Sequence, residues 1–425
     1  MANDSPRIVG LVLVAAAAWC PAADWPRWRG PAGTGHVPEG VPVPKTLPAK
    51  PEVLWRVRIG FGLDSPVVSG GKVFYLDNQK GRVMVHAAEA GSGKAVWSVP
   101  LDEVFKDAQS APGPRCTPVV DGERVYVQSC RGEFRCLDAA DGKTVWRVHF
   151  VRDFGAEFFG ERGPAVGASR HGYCGSPVVD GDRVIVGVGG RKGASVVCFE
   201  KRTGKVVWKS QDDVPGYSGP VVATIGGVKQ VISFTAEAVI GLDIADGKLL
   251  WRVPVKTRLG RHATTPVVSG DRVMVASHQA GLIGIRVARQ GEGFRAETAW
   301  VDKGAPINFA SPVLVGDHLY GLGRGKALVC VDVRTGKRAW TESNFFSGMI
   351  RRGYASFLVT GGNLLVLAEG GQLLLVAADP AECRLLGRTD LCGQNWCTPA
   401  YADGKLYVRD AKELLCVQLL PEGGT

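Results

Sequence analysis

The string Gly-Lys-x-x-Trp occurs five times in the 425 residues, at Gly93–Trp97, Gly142–Trp146, Gly204–Trp208, Gly247–Trp251 and Gly336–Trp340. A looser copy ends in Trp300. A second string, small residue–Pro–Val, alternates with it. Its members are Ser65-Pro66-Val67, Thr117-Pro118-Val119, Ser176-Pro177-Val178, Gly219-Pro220-Val221, Thr265-Pro266-Val267 and Ser311-Pro312-Val313. Ser356-Phe357 and Thr398-Pro399-Ala400 are degraded copies. With the Pro (or Phe357) as marker, the spacings are 52, 59, 43, 46, 46, 45 and 42. A period of about 40–50 residues is that of propeller blades, each a unit that buries its apolar faces only against its neighbours.

The unit reads the same way each time. Pro-Val-Val opens strand A, and a turn such as Asp121-Gly122 or Asp180-Gly181 leads to strand B at Arg124 to Gln128 or Arg183 to Gly187. Strand C follows at Phe134 to Asp138 or Leu328 to Asp332, then a turn such as Asp141-Gly142-Lys143, then strand D with its Trp. Asp-Gly and Thr-Gly supply the φ > 0 positions of tight hairpins. Proline at the start of strand A costs no needed ladder bond. The 57 glycines, about 13% against a usual 7%, fit a protein of many tight turns. Hydrophobic residues at 45% and charged residues at 22% are ordinary. Together they exclude a disordered chain, a collagen and a polytopic membrane protein.

The expected fold is all-β: an eight-bladed propeller of four-stranded antiparallel blades. The eighth unit, from Thr398 to Leu420, has strands A to C but no strand D. Val53-Leu54-Trp55-Arg56-Val57 supplies it from the other end of the chain, closing the ring and removing free edges. Blade seven lacks its Trp, with Leu385-Leu386 in that place. The repeated Trp side chains are expected between neighbouring blades.

Residues 1–23 read as a signal peptide: Arg7, an apolar run from Ile8 to Trp19, and small residues Ala22 and Ala23. The run is too short to span a bilayer. Cys20 follows Trp19 rather than a small residue, which disfavours lipid anchoring. The expected organisation is a 1–23 leader, a 24–52 extension, the 53–420 propeller and a 421–425 tail. The chain is expected to be exported to the periplasm or envelope as a monomer, and not to be an integral membrane protein. Four of the eleven cysteines, Cys136, Cys198, Cys330 and Cys416, hold one equivalent core place in strand C. Cys392 could pair with Cys397 or with Cys383, and spacing does not choose between them. No standard zinc or c-type haem motif is present.

The sequence Ala139-Ala140-Asp141-Gly142-Lys143-Thr144-Val145-Trp146 resembles the quinoprotein-type repeat, and the resemblance covers roughly residues 53–420. Two branches of that family differ in what they imply. One is the dehydrogenases that use pyrroloquinoline quinone (PQQ). The other is the non-catalytic propellers similar to BamB. Asp24-Trp25-Pro26-Arg27-Trp28-Arg29-Gly30-Pro31 also looks like the N-terminal motif of exported planctomycete-type propellers. The dehydrogenase branch implies a calcium or lanthanide ion held by Glu, Asn and Asp, a catalytic Asp and a Cys-Cys pair. This chain has no Cys-Cys pair, no evident Asn-Asp pair before a strand A, and no long insertions to cover a cofactor.

Function in propellers concentrates in the loops that precede strand A, near the central channel. Here they carry Asp64; Arg115 and Cys116; Arg170, His171, Tyr173 and Cys174; Tyr217; Arg261 and His262; Asn308 and Phe309; Arg351, Arg352 and Tyr354; Gln394, Asn395 and Trp396. These residues predict a basic, aromatic-lined mouth suited to anionic or planar partners. His171 has no evident carboxylate partner in sequence. The Phe150–Tyr173 connection is expected to fold over the mouth or serve a partner. The formal charge is +10 and no nucleic-acid motif is present. The first functional reading is therefore a non-catalytic scaffold binding an envelope protein or anionic envelope ligand, with no cofactor. The second is a PQQ- and calcium-dependent dehydrogenase of alcohols or sugars.

Overall fold

The computed structural model describes residues 23–420 apart from 109, 162 and 191. The expected leader through residue 22, with Cys20, and the 421–425 tail lie outside the described residues. The chain forms eight four-stranded antiparallel sheets arranged as a ring. Blade 1 runs through Val67–Ser69, Lys72–Gln79, Arg82–Glu89 and Ala95–Glu103. Blades 2 to 7 repeat this sequential order, with their strands A beginning at Val119, Val178, Val221, Val267, Val313 and Ala355.

Blade 8 is composite. Ala400–Ala402, Lys405–Arg409 and Glu413–Gln418 form strands A to C, and Glu52–Arg58 pairs with Glu413–Gln418 as strand D. The ring thus closes as the sequence implied. Among the described residues no helix is long and apolar enough to cross a membrane.

The strand burial patterns follow from position in the blade. Strands B and C lie between neighbouring blades and are covered on both faces. They read as continuous apolar runs, such as Arg124–Gln128 and Ala194–Glu200. Strand D is the outer edge. In Thr144–His149 only Trp146 is buried. The short strands A form the innermost ring around the channel, with neighbours in contact.

The repeated Trp joins consecutive blades. Its indole N–H donates to a backbone carbonyl of the next blade, as in Trp97 to Ala139 (3.1 Å), Trp146 to Lys201 (2.9 Å) and Trp208 to Ile244 (3.0 Å). Trp300 and Trp340 do the same with Val333 and Asp379. Trp55, on the strand from the opposite chain end, makes the same bond to Ala90 of blade 1 at 2.9 Å. The closing junction therefore has the same chemistry as the internal ones. Trp251 is the exception, donating to Gln230 of its own blade. Blade 5 has a long hairpin, Gly281–Gln290 with Gly293–Asp302, in place of the Gly-Lys turn that would receive it.

This contact explains the Gly of Gly-Lys-x-x-Trp. Gly142 has φ +74°, and a Cβ there would fall 2.8 Å from the Trp97 ring. Left-handed backbone and ring contact both require glycine. Gly142→Ala is expected to cost about 2–3 kcal/mol, combining left-handed strain with overpacking. Urea unfolding checks this, and a loss below about 0.5 kcal/mol would refute the double requirement.

The N-terminal segment crosses one end of the channel. Trp25 exchanges two backbone hydrogen bonds with Val68, and Pro26 O accepts from Val120 N. Arg27 donates to Val179 O, Trp28 Nε1 to Thr265 Oγ1, and Arg29 to Pro312 O. His36 Nε2 bonds Leu314 O, Val37 N donates to Val359 O, and Tyr401 donates to Pro42 O. The segment thus touches blades 1, 2, 3, 5, 6, 7 and 8 in turn. Nothing in the repeat pattern foretold this plug.

Candidate functional site

The plug divides the channel. Trp28 lines two cavities. One, of about 710 Å³, lies on the plug side among Arg27, Arg29, His36 and the ends of strands A. The other, of about 500 Å³, lies among the loops that precede strands A. The second is a cup with Trp28 in its lining. Its walls carry Arg115, His171, Cys174, Tyr217, Arg261, Phe309, Arg352, Tyr354 and Trp396. The D-to-A loops bring these residues together from separate blades. Among the described residues no Asp or Glu lines the cup.

One wall is aromatic. The Tyr354 and Trp396 rings stack at 5.6 Å with an interplanar angle of 13°, and Phe309 meets Trp396 at 5.3 Å. The opposite wall is polar, and the two long connections build it together. Phe150–Phe154 and Ala168–His171 are short helices within the Phe150–Tyr173 connection. Phe158 packs edge-on to Phe105 at 5.0 Å, and Glu161 accepts from Ala108 N. The connection is therefore part of the wall rather than a cover.

His171 does have a carboxylate partner, contrary to the sequence reading. Asp107 Oδ2 lies 3.1 Å from His171 Nδ1 and 2.8 Å from an Arg115 guanidinium nitrogen. Arg115 also donates to His171 O at 2.9 Å. The Asp107 side chain is inaccessible to solvent, and Glu161 Oε1 stands 3.8 Å from the same His nitrogen. Asp107 lies 64 positions from His171 and outside any repeat string, so no spacing rule pointed to it. With Asp107 ionised, His171 carries its proton on Nδ1 and turns Nε2 away from the carboxylate. Among the described residues His171 Nε2, Tyr217 Oη and Ser218 Oγ are buried without a hydrogen-bond partner. Each such atom costs about 1–3 kcal/mol unless a ligand or water satisfies it.

Other expected mouth residues do not line this cup. Asp64 is fully buried, accepts from Leu76 N at 2.8 Å and faces Arg409 at 2.5 Å. Burial pushes its carboxyl up to about 6, while Arg409 and the Leu76 N–H draw it back down. Tyr173 packs edge-on to Phe150 at 4.9 Å. Asn395 is buried, donates to Ala368 O, and borders a smaller pocket with Gln394. Arg351 is exposed outside the cup, and Arg170 and Asn308 are half-buried behind it. Cys116 is buried and points at Gly175 and Ser176. Sequence placed all of these before a strand A, but Asp64, Tyr173, Asn395 and Cys116 are buried in the packing instead.

His262 is also buried. It stacks on Phe234 at 4.2 Å, and its Nδ1 donates to Thr235 O at 2.6 Å. Burial depresses its pKa to about 4. The unfolded chain, titrating near 6.5, takes up this proton first as pH falls. His262 therefore contributes stability above pH 6.5 that is lost between pH 6.5 and 4, up to about 3 kcal/mol. Asp64 acts oppositely in this window, since its raised pKa favours the folded state as pH falls through 6. The His262→Gln variant should remove the loss, and unfolding of both chains at pH 7 and 4.5 isolates it. Equal pH dependence in the two chains would refute the assignment.

Among the described residues no three His, Cys, Asp or Glu side chains converge as a metal-ligand set.

A family model described as outer membrane protein assembly factor BamB matches residues 47–167 and 82–342, together more than half of the chain. The chain belongs to this family. The BamB of Shewanella oneidensis is 24% identical over 400 residues, covering 87% of this chain and 89% of that protein. The crystal structure of BamB from Moraxella catarrhalis superposes with a TM-score of 0.58 at 14% identity, covering 87% of this chain and 98% of the other. The quinohemoprotein alcohol dehydrogenase from Comamonas testosteroni superposes at 0.64, also at 14% identity, covering 95% of this chain and 82% of the other. At these identities the structural likeness shows the propeller fold alone. By itself it does not separate the BamB family from the dehydrogenases.

Proposed function

We propose that this protein is an exported, non-catalytic scaffold of the cell envelope that holds an acidic segment of an envelope partner protein in the cup. One observation carries the reading: a cup with Arg115, Arg261, Arg352 and a stacked aromatic wall, and no carboxylate among its described lining residues. Guanidinium groups pair with carboxylates, and Tyr, Trp and Arg dominate interaction hot spots. The relatives named as outer membrane protein assembly factors support an envelope setting and an assembly role.

The donor set does not fit the alternative. A calcium ion needs several oxygen ligands, carboxylates foremost. Asp64 and Asp107 are each ion-paired to an arginine, and among the described residues no acid lines the cup. Titration with a tryptophan-bearing oligoglutamate peptide tests the scaffold reading, with PQQ plus Ca²⁺ and a dye-linked alcohol assay as the opposing arm. Peptide binding that weakens with salt supports it. Tight PQQ binding with alcohol oxidation would overturn it.

A further inference from the structure

The sequence permitted cysteine pairs near the C-terminus, but the structure places a different pair together. Cys392 and Cys397 have separate partners, Asn395 and the Arg409 carbonyl. Cys136, Cys198, Cys330 and Cys416 are buried in strands C of four different blades. Cys130 sits in the B–C turn of blade 2, and Cys174 precedes strand A of blade 3. Tyr173 N donates to Cys130 O at 3.0 Å, so the two backbones run side by side. A Cβ on Gly172 would lie 2.7 Å from Cys130 Cβ, which leaves only glycine room there. The side chains are neighbours across this backbone contact: Cys174 draws the Cys130 thiol below its ordinary value, and Cys130 together with burial raises that of Cys174.

We propose that Cys130 and Cys174 are a disulfide-forming site that fastens the polar wall of the cup to blade 2. Neither thiol belongs to the strand-C core position, and the proposal stands independently of what the cup binds. Access orders the chemistry. Cys174 lines the cup, whereas Cys130 is 3% exposed. The Cys174 thiolate attacks one sulfur of an external disulfide, of a small-molecule or oxidase CxxC class, and a thiolate leaves. The Cys130 thiolate then attacks the Cys174 sulfur and expels the second thiolate. The two thiol protons end on the two leaving groups, and the external disulfide is the species reduced. In the reduced protein the Cys174 S–H and Arg115 draw the Cys130 thiol down, and Arg115 remains to favour its thiolate once Cys174 carries the mixed disulfide. An oxidising exported compartment supplies such oxidants. The product closes a long loop, Cys130 to Cys174, that contains both short helices and His171.

Peptide mapping decides the matter. The full chain is treated with oxidised glutathione, alkylated under denaturing, non-reducing conditions and digested with trypsin. Residues 125–131 and 171–183 form tryptic peptides that each hold one cysteine. The expected product is the cross-link between these two peptides, with the remaining described cysteines alkylated. Dithiothreitol should lower Tm by about 3–5 °C in the wild type and leave Cys130→Ser and Cys174→Ser unmoved. Alkylation of both thiols after oxidation, or a cross-link from Cys174 to Cys116 instead, would overturn the proposal. The wild-type map stands even if a variant fails to fold.

Discussion

Arg409→Leu is expected to destabilise the protein by about 3–5 kcal/mol, the cost of leaving one member of a buried pair without its partner. Arg409 is 1% exposed and lies on strand B of blade 8. Its guanidinium reaches Asp64 at 2.5 Å and donates to Leu76 O and Gly60 O of the first blade region. The substitution strands the Asp64 carboxylate and two carbonyls at the junction where the chain ends meet. For a chain of this length the loss corresponds to a fall in Tm of roughly 5 °C. The double variant Asp64→Asn/Arg409→Leu should lose less than the sum of the single losses, because neither charge is then stranded. Additive losses would show that the pair is not coupled and would remove its role in closing the ring.

Arg261→Glu/Arg352→Glu is expected to weaken binding of the acidic peptide by about 100-fold at low salt. Two attractive charges become repulsive at the cup, and complementary charge governs such encounters. The effect should shrink as ionic strength rises toward 0.5 M, since the Debye length then falls well below 10 Å. Calorimetric titration reads the affinity, and circular dichroism confirms the fold. An unchanged affinity would remove the cup from the binding reading even if the peptide still bound elsewhere. Arg115 is a poorer target, because Asp107 depends on it.

The fold was legible because each blade repeats the same physical problem. Gly-Lys-x-x-Trp encodes a left-handed turn and a ring that covers it, and five copies with Pro-Val markers fix the blade count. The closing strand was legible because Trp55 carries the same signature as the internal Trp residues. The site was legible only in part. Position before a strand A marks the channel end of a loop, but not which side chains face it. Arg115, His171, Tyr217, Arg261, Arg352, Tyr354 and Trp396 face the cup, while Asp64, Tyr173 and His262 turn into the packing between blades.

The sequence by itself determined the architecture: eight blades, a composite last blade and loops rich in arginine and aromatic residues. Local signals suffice for that, because hairpin turns and Trp contacts join elements close in sequence or alike by repetition. Only the tertiary structure decided the channel's contents. It threaded Trp25 to Pro42 across one end, set Asp107 against His171, and brought Cys130 beside Cys174. These groups meet because the ring brings distant loops to one axis, and a linear pattern carries no record of which side chains an axis collects.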